Sequence, residues 1–246
     1  MDSTRQIKLS YKEDFEIACT INNLNYTDLL QYFIDHVSFY VFIGGNMKAA
    51  YIWATKVCIE CGDAIGGQAT AVTDKSIQQI SLKYIKMLTL LIERDEAESL
   101  NKSTYLMQAW SDEMRSLTSY IKTIQLPNKD ELYLSFDFNL LCSINGLSIQ
   151  QQLQYFIDRL SLARVRANNL LEGTTADPAA SVLFALISSD SRLKTKLLPR
   201  QDIYRKYGLQ LLELDKKLRG ENNLKTRILN YRAFYQDWYQ ALNKAH

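Results

Sequence analysis

The chain has 246 residues, of which 47% are hydrophobic and 23% charged, with only 9 Gly, 3 Pro and a formal net charge of +2. This composition is typical of a folded protein and excludes disordered, collagen-like and linker-rich chains. The most apolar stretch, residues 37–65, is interrupted by four charged side chains, so we predict no membrane span. The first sixteen residues mix acids and bases without an apolar core, and we expect a cytoplasmic protein.

Residues 14–40 and 137–163 share one pattern at an offset of 123 positions, which is half the chain length. Without gaps, 13 of these 27 aligned positions are identical, and Lys83-Tyr84 falls on Lys206-Tyr207 at the same offset. A pattern that recurs at a fixed offset indicates duplicated structural units. We therefore predict two tandem copies, residues 1–126 and 127–246, divided near Pro127.

The segment that opens each copy has the pattern of extended chain. Apolar residues alternate from Leu132 to Ile144 in the second copy, and the first copy keeps the same parity from Ile7 to Ile21. A period of two is typical of a half-buried strand. The sequence therefore allows a small β element formed by these two segments.

About four amphipathic helices are expected to follow in each copy. Ser148 and Gln151 form a capping box, which marks a helix start, and Asn25 and Asp28 occupy the matching places in the first copy. Apolar residues three and four positions apart follow these starts. The predicted fold class is thus mainly α, with two tandem, internally duplicated helical bundles and a small β element.

A polar stripe recurs in both copies. Its members are spaced i, i+4 and i+7, which places them on one face of a helix; they are Gln31, Asp35 and Ser38 in the first copy and Gln154, Asp158 and Ser161 in the second. The stripe could line a ligand site between the repeats. Alternatively, its carboxylates accept hydrogen bonds from a neighbouring helix, as buried polar groups generally require.

The residues offer little for catalysis or metal binding. Cys58 and Cys61 form a CxxC motif late in a helical run, where the helix dipole disfavours a thiolate. His36 is the only internal histidine, and no phosphate-binding glycine loop occurs. We therefore expect no metal and no cofactor, and these residues favour a non-enzymatic protein over an enzyme. Whether the CxxC is redox-active stays open.

Charge is distributed unequally. Residues 1–123 carry a net charge of −3 and the remainder +5, and most of the excess lies in one basic segment. Its twelve bases are Arg192, Lys194, Lys196, Arg200, Arg205, Lys206, Lys216, Lys217, Arg219, Lys225, Arg227 and Arg232. Such a segment, with tyrosines between the bases, is typical of a phosphate-binding surface. The alternative is a set of solvated helix faces.

Three functional hypotheses follow. The first is a non-enzymatic helical scaffold that binds a protein partner, because aromatic residues, 11% of the chain, can fill a core and still supply an interface. The second is a nucleic-acid-binding accessory or regulatory protein that uses the basic segment. The third is a small-molecule binder, or an enzyme, with its site between the two repeats. The oligomeric state is not predicted by the sequence.

Overall fold

The structure, a computed structural model, describes residues 5–69, 71–92, 96–169, 176–189 and 200–244. The chain up to residue 114 forms β1 (Arg5–Gln6), α1 (Glu13–Ile21), α2 (Tyr26–Asp35), α3 (Phe39–Phe42), α4 (Ala49–Ile65), α5 (Lys75–Ile92) and α6 (Glu96–Met114). The remainder forms β2 (Thr123–Gln125), β3 (Glu131–Tyr133), α7 (Phe136–Ile144), α8 (Ile149–Arg159), α9 (Leu162–Asn169), α10 (Pro178–Ser189), α11 (Gln201–Leu218) and α12 (Leu224–Lys244).

The predicted mainly helical architecture is confirmed. The described ranges hold six helices on each side of Pro127, rather than the expected four or so, because α1 and α7 are helical and α3 and α9 are short additional helices. In these same ranges, no helix combines the length and the apolar character that crossing a membrane requires.

The small β element is a three-stranded sheet in the order β1-β2-β3. β1 pairs in parallel with β2, and β2 pairs with β3 in an antiparallel register that sets Ile124 opposite Leu132. Both side chains are fully buried, so the sheet covers part of the core with its apolar face. The segments that open the two predicted copies therefore do contribute strands, at residues 5–6 and 131–133.

The predicted strand is wrong beyond residue 133, where α7 begins at Phe136. Ser135 caps this helix, and its hydroxyl accepts a hydrogen bond from the Phe138 backbone N–H at 3.2 Å. Phe138, Leu141 and Cys142 are buried at the i, i+3 and i+4 positions of one helix face. The apolar run fits both the alternating pattern of a strand and the i, i+3, i+4 pattern of a helix. The cap at Ser135 favours the helix. α1 occupies the place of the other predicted strand, with both ends displaced by 123 residues from those of α7.

The predicted capping box at the start of α8 is confirmed. The Ser148 N–H donates to Gln151 Oε1 at 2.8 Å, and the Gln151 N–H donates to Ser148 Oγ at 3.2 Å. These reciprocal bonds satisfy backbone donors that the first helical turn leaves without partners. The sequence therefore fixes the start of this helix by local chemistry.

The described residues pack as two compact units. The first unit comprises the residues up to Leu9 and the segment Leu30–Tyr155; the second comprises Ser10–Leu29 and the residues from Phe156 onward. In the first unit α7 packs against α3 and α6, and in the second α1 packs against α9 and α12. Each unit thus combines helices from both sides of Pro127. The duplication of the sequence stays a prediction.

Candidate functional site

A cavity of about 500 Å³ lies within the first unit. Its walls come from the segment between α2 and α3, from α6, and from the segment that joins β3 to α7. Carboxylates, hydroxyls and apolar side chains all contribute to the lining. Cavities of this size and mixed lining are typical of small-molecule sites.

Asp137 is the more deeply buried of the two carboxylates in the cavity lining. Its Oδ2 accepts a hydrogen bond from the Phe39 backbone N–H at 2.8 Å, and the Ser38 hydroxyl donates to the same carboxylate. Burial raises the pKa of Asp137 to about 6, although both hydrogen bonds act in the opposite direction. Across the part of the chain that the structure describes, Asp137 forms no ion pair within 4 Å.

Two more groups form an acidic end of the cavity together with Asp137. Burial raises the pKa of Asp35, while a hydrogen bond from Gln31 at 2.7 Å and the nearby His36 lower it. Burial also raises the pKa of Tyr51, and the charges of Asp137 and then Asp35 raise it further. Since charge effects of this kind require proximity, the two carboxylates and this phenol lie close together.

Gln31 holds the wall that carries Asp35. Its side-chain amide donates to the Tyr133 carbonyl at 2.9 Å, and its carbonyl oxygen accepts from the Tyr133 N–H at 2.8 Å. These two bonds fasten the end of β3 to α2. The part of the lining that carries Asp35 and Tyr133 is therefore built on two regular elements, which position side chains more rigidly than a loop does.

The remaining lining combines hydroxyls, bases and apolar groups. Ser111 and Tyr120 share a hydrogen bond of 2.6 Å, and the Arg115 guanidinium pairs with Asp112 at 2.5 Å. The apolar part comprises Val37, Met47, Met107 and Phe136. Lys122 completes the set of charged lining residues. A ligand here would find hydrogen-bonding groups and apolar contact on neighbouring walls.

The structure divides the predicted polar stripe. Asp35 and Ser38 of the first copy line the cavity, although Ser38 lies beyond the end of α2, directly before α3. In the second copy Gln154 lies half-buried in α8, Asp158 pairs with Lys12 at 3.1 Å, and the Ser161 hydroxyl accepts from the Arg164 N–H at 3.3 Å, capping α9. The lining of the cavity includes none of these three.

Asp137, Tyr51 and the hydroxyls of α6 were not predicted as site residues. Asp137 did belong to an identical pair of the repeat, Asp14/Asp137, and that identity was the available signal. No sequence pattern marks the α6 hydroxyls as site residues. Long-range packing brings Ser103 and Thr104 into the cavity that Asp137 lines.

The basic segment does not act as one set of surface charges. Arg192, Lys194 and Lys196 lie outside the described residues. Arg227 is 1% exposed, Arg232 pairs with Asp14, and Lys216 pairs with Glu213. Arg200 is half-buried, and Arg205, Lys206, Lys217, Arg219 and Lys225 are exposed at the surface, as is Lys216. The tyrosines between them serve the core: Tyr207, Tyr231 and Tyr235 are buried.

The four cysteines are buried thiols. Burial raises the pKa of Cys61 to about 11 and that of Cys142 to about 12, and it raises the pKa of Cys58 well above its ordinary value. A CxxC motif that acts in redox chemistry needs the opposite shift. Among the described residues, no group of three His, Cys, Asp or Glu side chains is arranged to hold a metal ion.

Comparison of the chain with models of protein families, with curated proteins and with solved structures gives no match.

Proposed function

We propose that the chain is a non-enzymatic binding protein whose first unit holds a small polar molecule in the cavity around Asp35 and Asp137. The observation that carries this proposal is a carboxylate, Asp137, that lies in a cavity with its pKa raised to about 6 by burial and with no basic partner among the described residues. Keeping an acidic group in such surroundings costs folding free energy, and sites with that property are frequently functional.

The lining offers the groups that a polar ligand needs. Its acidic end contributes two carboxylates and a phenol, which can accept and donate hydrogen bonds. Apolar side chains such as Met107 and Phe136 add contact area for the uncharged part of a ligand.

Thermal unfolding with a panel of amines, guanidines, amino acids, nucleosides, sugars and organic acids tests the proposal. A ligand that binds the folded protein raises the melting temperature, because it stabilises the folded state by a free energy that grows with the logarithm of ligand concentration over Kd. The matched variants are Thr104→Trp, which narrows the cavity from its rim, and Tyr105→Trp, at a 73% exposed position of the same helix outside the lining.

We expect at least one class of compound to raise the melting temperature of the wild type and of Tyr105→Trp, and to leave Thr104→Trp unchanged. Unchanged melting with every class, or equal stabilisation of both variants, would contradict a function of this cavity.

As a second candidate, we propose that α11 docks an acidic macromolecule. Leu209 and Leu212 are 58% and 53% exposed on this helix, which also presents exposed Arg205, Lys206 and Lys217. Exposed leucines beside bases favour a partner with both apolar and acidic groups.

Gel shifts with duplex and single-stranded DNA at low salt separate nucleic acid from other acidic partners. Binding to nucleic acid should weaken steeply with salt and should weaken further in the variant Lys206→Gln/Lys217→Gln. Absence of a shift at low salt would exclude the nucleic-acid form of this candidate and leave the protein partner.

A further inference from the structure

The two units contain the same aromatic arrangement, which aligns their helices position by position. Tyr84 of α5 stacks on Trp110 of α6 with ring centroids 5.8 Å apart and planes at 6°, and Tyr207 of α11 stacks on Trp238 of α12 at 5.6 Å and 6°. A lysine lies over each tyrosine ring, at 4.7 Å in the first unit and 5.3 Å in the second. Trp110 and Trp238 therefore mark equivalent places in α6 and α12.

Asp14 and Asp137 are likewise equivalent. Asp14 is the second residue of the nine-residue helix α1, and Asp137 is the second residue of the nine-residue helix α7. In the second unit Asp14 has a cationic partner: Arg232 donates from Nε to Oδ1 at 3.1 Å and from Nη2 to Oδ2 at 2.9 Å. Such a bidentate pair is the preferred geometry of guanidinium and carboxylate.

The position equivalent to Arg232 in the first unit is Thr104. Arg232 lies six residues before Trp238, and Thr104 lies six residues before Trp110. Thr104 and Asp137 both line the cavity, as this equivalence requires. A second pair of positions supports this alignment of α6 with α12. The Gln236 side chain donates to Glu13 at 2.9 Å in the second unit, and the equivalent residues Gln108 and Phe136 both line the cavity in the first.

Small residues of α6 stand at the positions where α12 has large ones. Tyr231 lies seven residues before Trp238 in the second unit, and Ser103 lies seven residues before Trp110 in the first. Directly after these tryptophans come Tyr239 in the second unit and Ser111 in the first. Ser103 and Ser111 both line the cavity. The first unit thus lacks one guanidinium and two phenol rings at the places where the second unit has them, while it keeps the carboxylate.

We propose that the ligand of this cavity carries a guanidinium group, which takes the place of the Arg232 side chain and forms a bidentate pair with Asp137. The inference rests on the proposed function of the cavity and names its ligand class. Asp35 adds a second negative charge at the same end, and Met107 and Phe136 contact the aliphatic part of the ligand. Of the two bases in the lining, Arg115 is paired with Asp112, and Lys122 is left to meet an anionic end of the ligand, if it has one.

Calorimetric titration with L-arginine, agmatine and L-citrulline tests this inference. Citrulline has the shape of arginine with a neutral urea in place of the guanidinium, so it is the matched ligand control. The protein variants are Asp137→Asn, which keeps the shape and removes the charge, and Thr104→Arg, which supplies the guanidinium from the chain itself. Asp14→Asn is the matched control, because it changes the equivalent carboxylate of the second unit.

Arginine or agmatine should bind the wild type and Asp14→Asn with equal affinity. Binding should weaken at least tenfold for citrulline, for Asp137→Asn and for Thr104→Arg, since each removes or blocks the charge pair. Circular dichroism checks that each variant is folded. If Thr104→Arg does not fold, Asp137→Asn alone tests the inference.

Different outcomes would overturn the guanidinium assignment and the proposed binding function of the cavity. If citrulline binds as tightly as arginine, if Asp137→Asn keeps its affinity, or if another class of compound occupies the cavity while guanidines do not, the guanidinium assignment is overturned and the cavity remains a binding site. If no compound of the wider panel depends on Thr104, the proposed function itself falls.

Discussion

Phe33 meets Phe138 edge to face within the first unit, with ring centroids 5.9 Å apart and planes at 87°. The second unit contains the corresponding pair, Phe15 and Phe156, at 6.5 Å and 81°. Phe15 and Phe138 are 123 residues apart in sequence, and so are Phe33 and Phe156. Each unit therefore takes one ring from each side of Pro127, which explains why residues 10–29 and 156–246 pack together.

A double-mutant cycle on Phe33 and Phe138 should show strong coupling. Each ring is fully buried, so Phe33→Ala or Phe138→Ala is expected to lower the free energy of unfolding by about 3–5 kcal/mol. The double variant should be less destabilised than the sum by about 1 kcal/mol, because the edge-to-face contact is lost only once. Urea unfolding measures all four proteins.

The cycle on Phe15 and Phe156 in the second unit is the matched comparison, because these rings also meet edge to face. Strict additivity for Phe33 and Phe138 would contradict the contact.

Local chemistry made part of this fold predictable. The capping residues of α8 act within a few positions, and the sequence therefore indicates the start of this helix directly. α7 was predicted as a strand because Phe136, Phe138, Leu140 and Cys142 alternate, while the Ser135 cap selects the helix. The cavity was out of reach, because it depends on how Asp137 meets side chains of α6, which lie more than twenty residues away in sequence.

Replacement of Asp137 by Asn should stabilise the ligand-free protein at neutral pH. Folding raises the pKa of this carboxyl from 3.8 to about 6, so the folded state holds the proton more tightly than the unfolded state does. The stabilisation that comes from this tighter proton binding is present in full below about pH 4 and is lost as pH rises through about 6. We expect Asp137→Asn to be more stable than the wild type by about 1–3 kcal/mol at pH 8.

Urea unfolding between pH 4 and pH 8 checks the expectation. The difference between Asp137→Asn and the wild type should shrink towards pH 4, where the wild-type carboxyl is protonated. Asp14→Asn should instead lower the free energy of unfolding, since it removes the partner of Arg232. A variant at position 137 that is equally destabilised at pH 4 and pH 8 would refute the assignment of a buried, unpaired charge.

The ion pair of Asp14 and Arg232 should stabilise the second unit modestly. Its side chains are 21% and 37% exposed, so solvent screens their attraction, and we expect a coupling of about 1 kcal/mol between Asp14→Asn and Arg232→Gln. The coupling should fall at 1 M salt, where screening acts over about 3 Å. A coupling that is absent at low salt would show that the two bonds contribute nothing to stability.

The thiols of Cys58, Cys61 and Cys142 should react slowly in the folded protein. Burial raises the pKa of Cys61 to about 11 and that of Cys142 to about 12, so very little thiolate is present at pH 8. Reaction with a disulfide reagent should be on the order of a hundredfold slower than for a free thiol, because the thiolate is the reacting species. In urea all four cysteines of the chain should titrate rapidly. The variant Cys61→Ser, which breaks the CxxC motif, should give the same slow native reaction with one thiol fewer in urea. Rapid loss of two thiols from the native wild type, abolished in Cys61→Ser, would instead establish the motif as a redox pair.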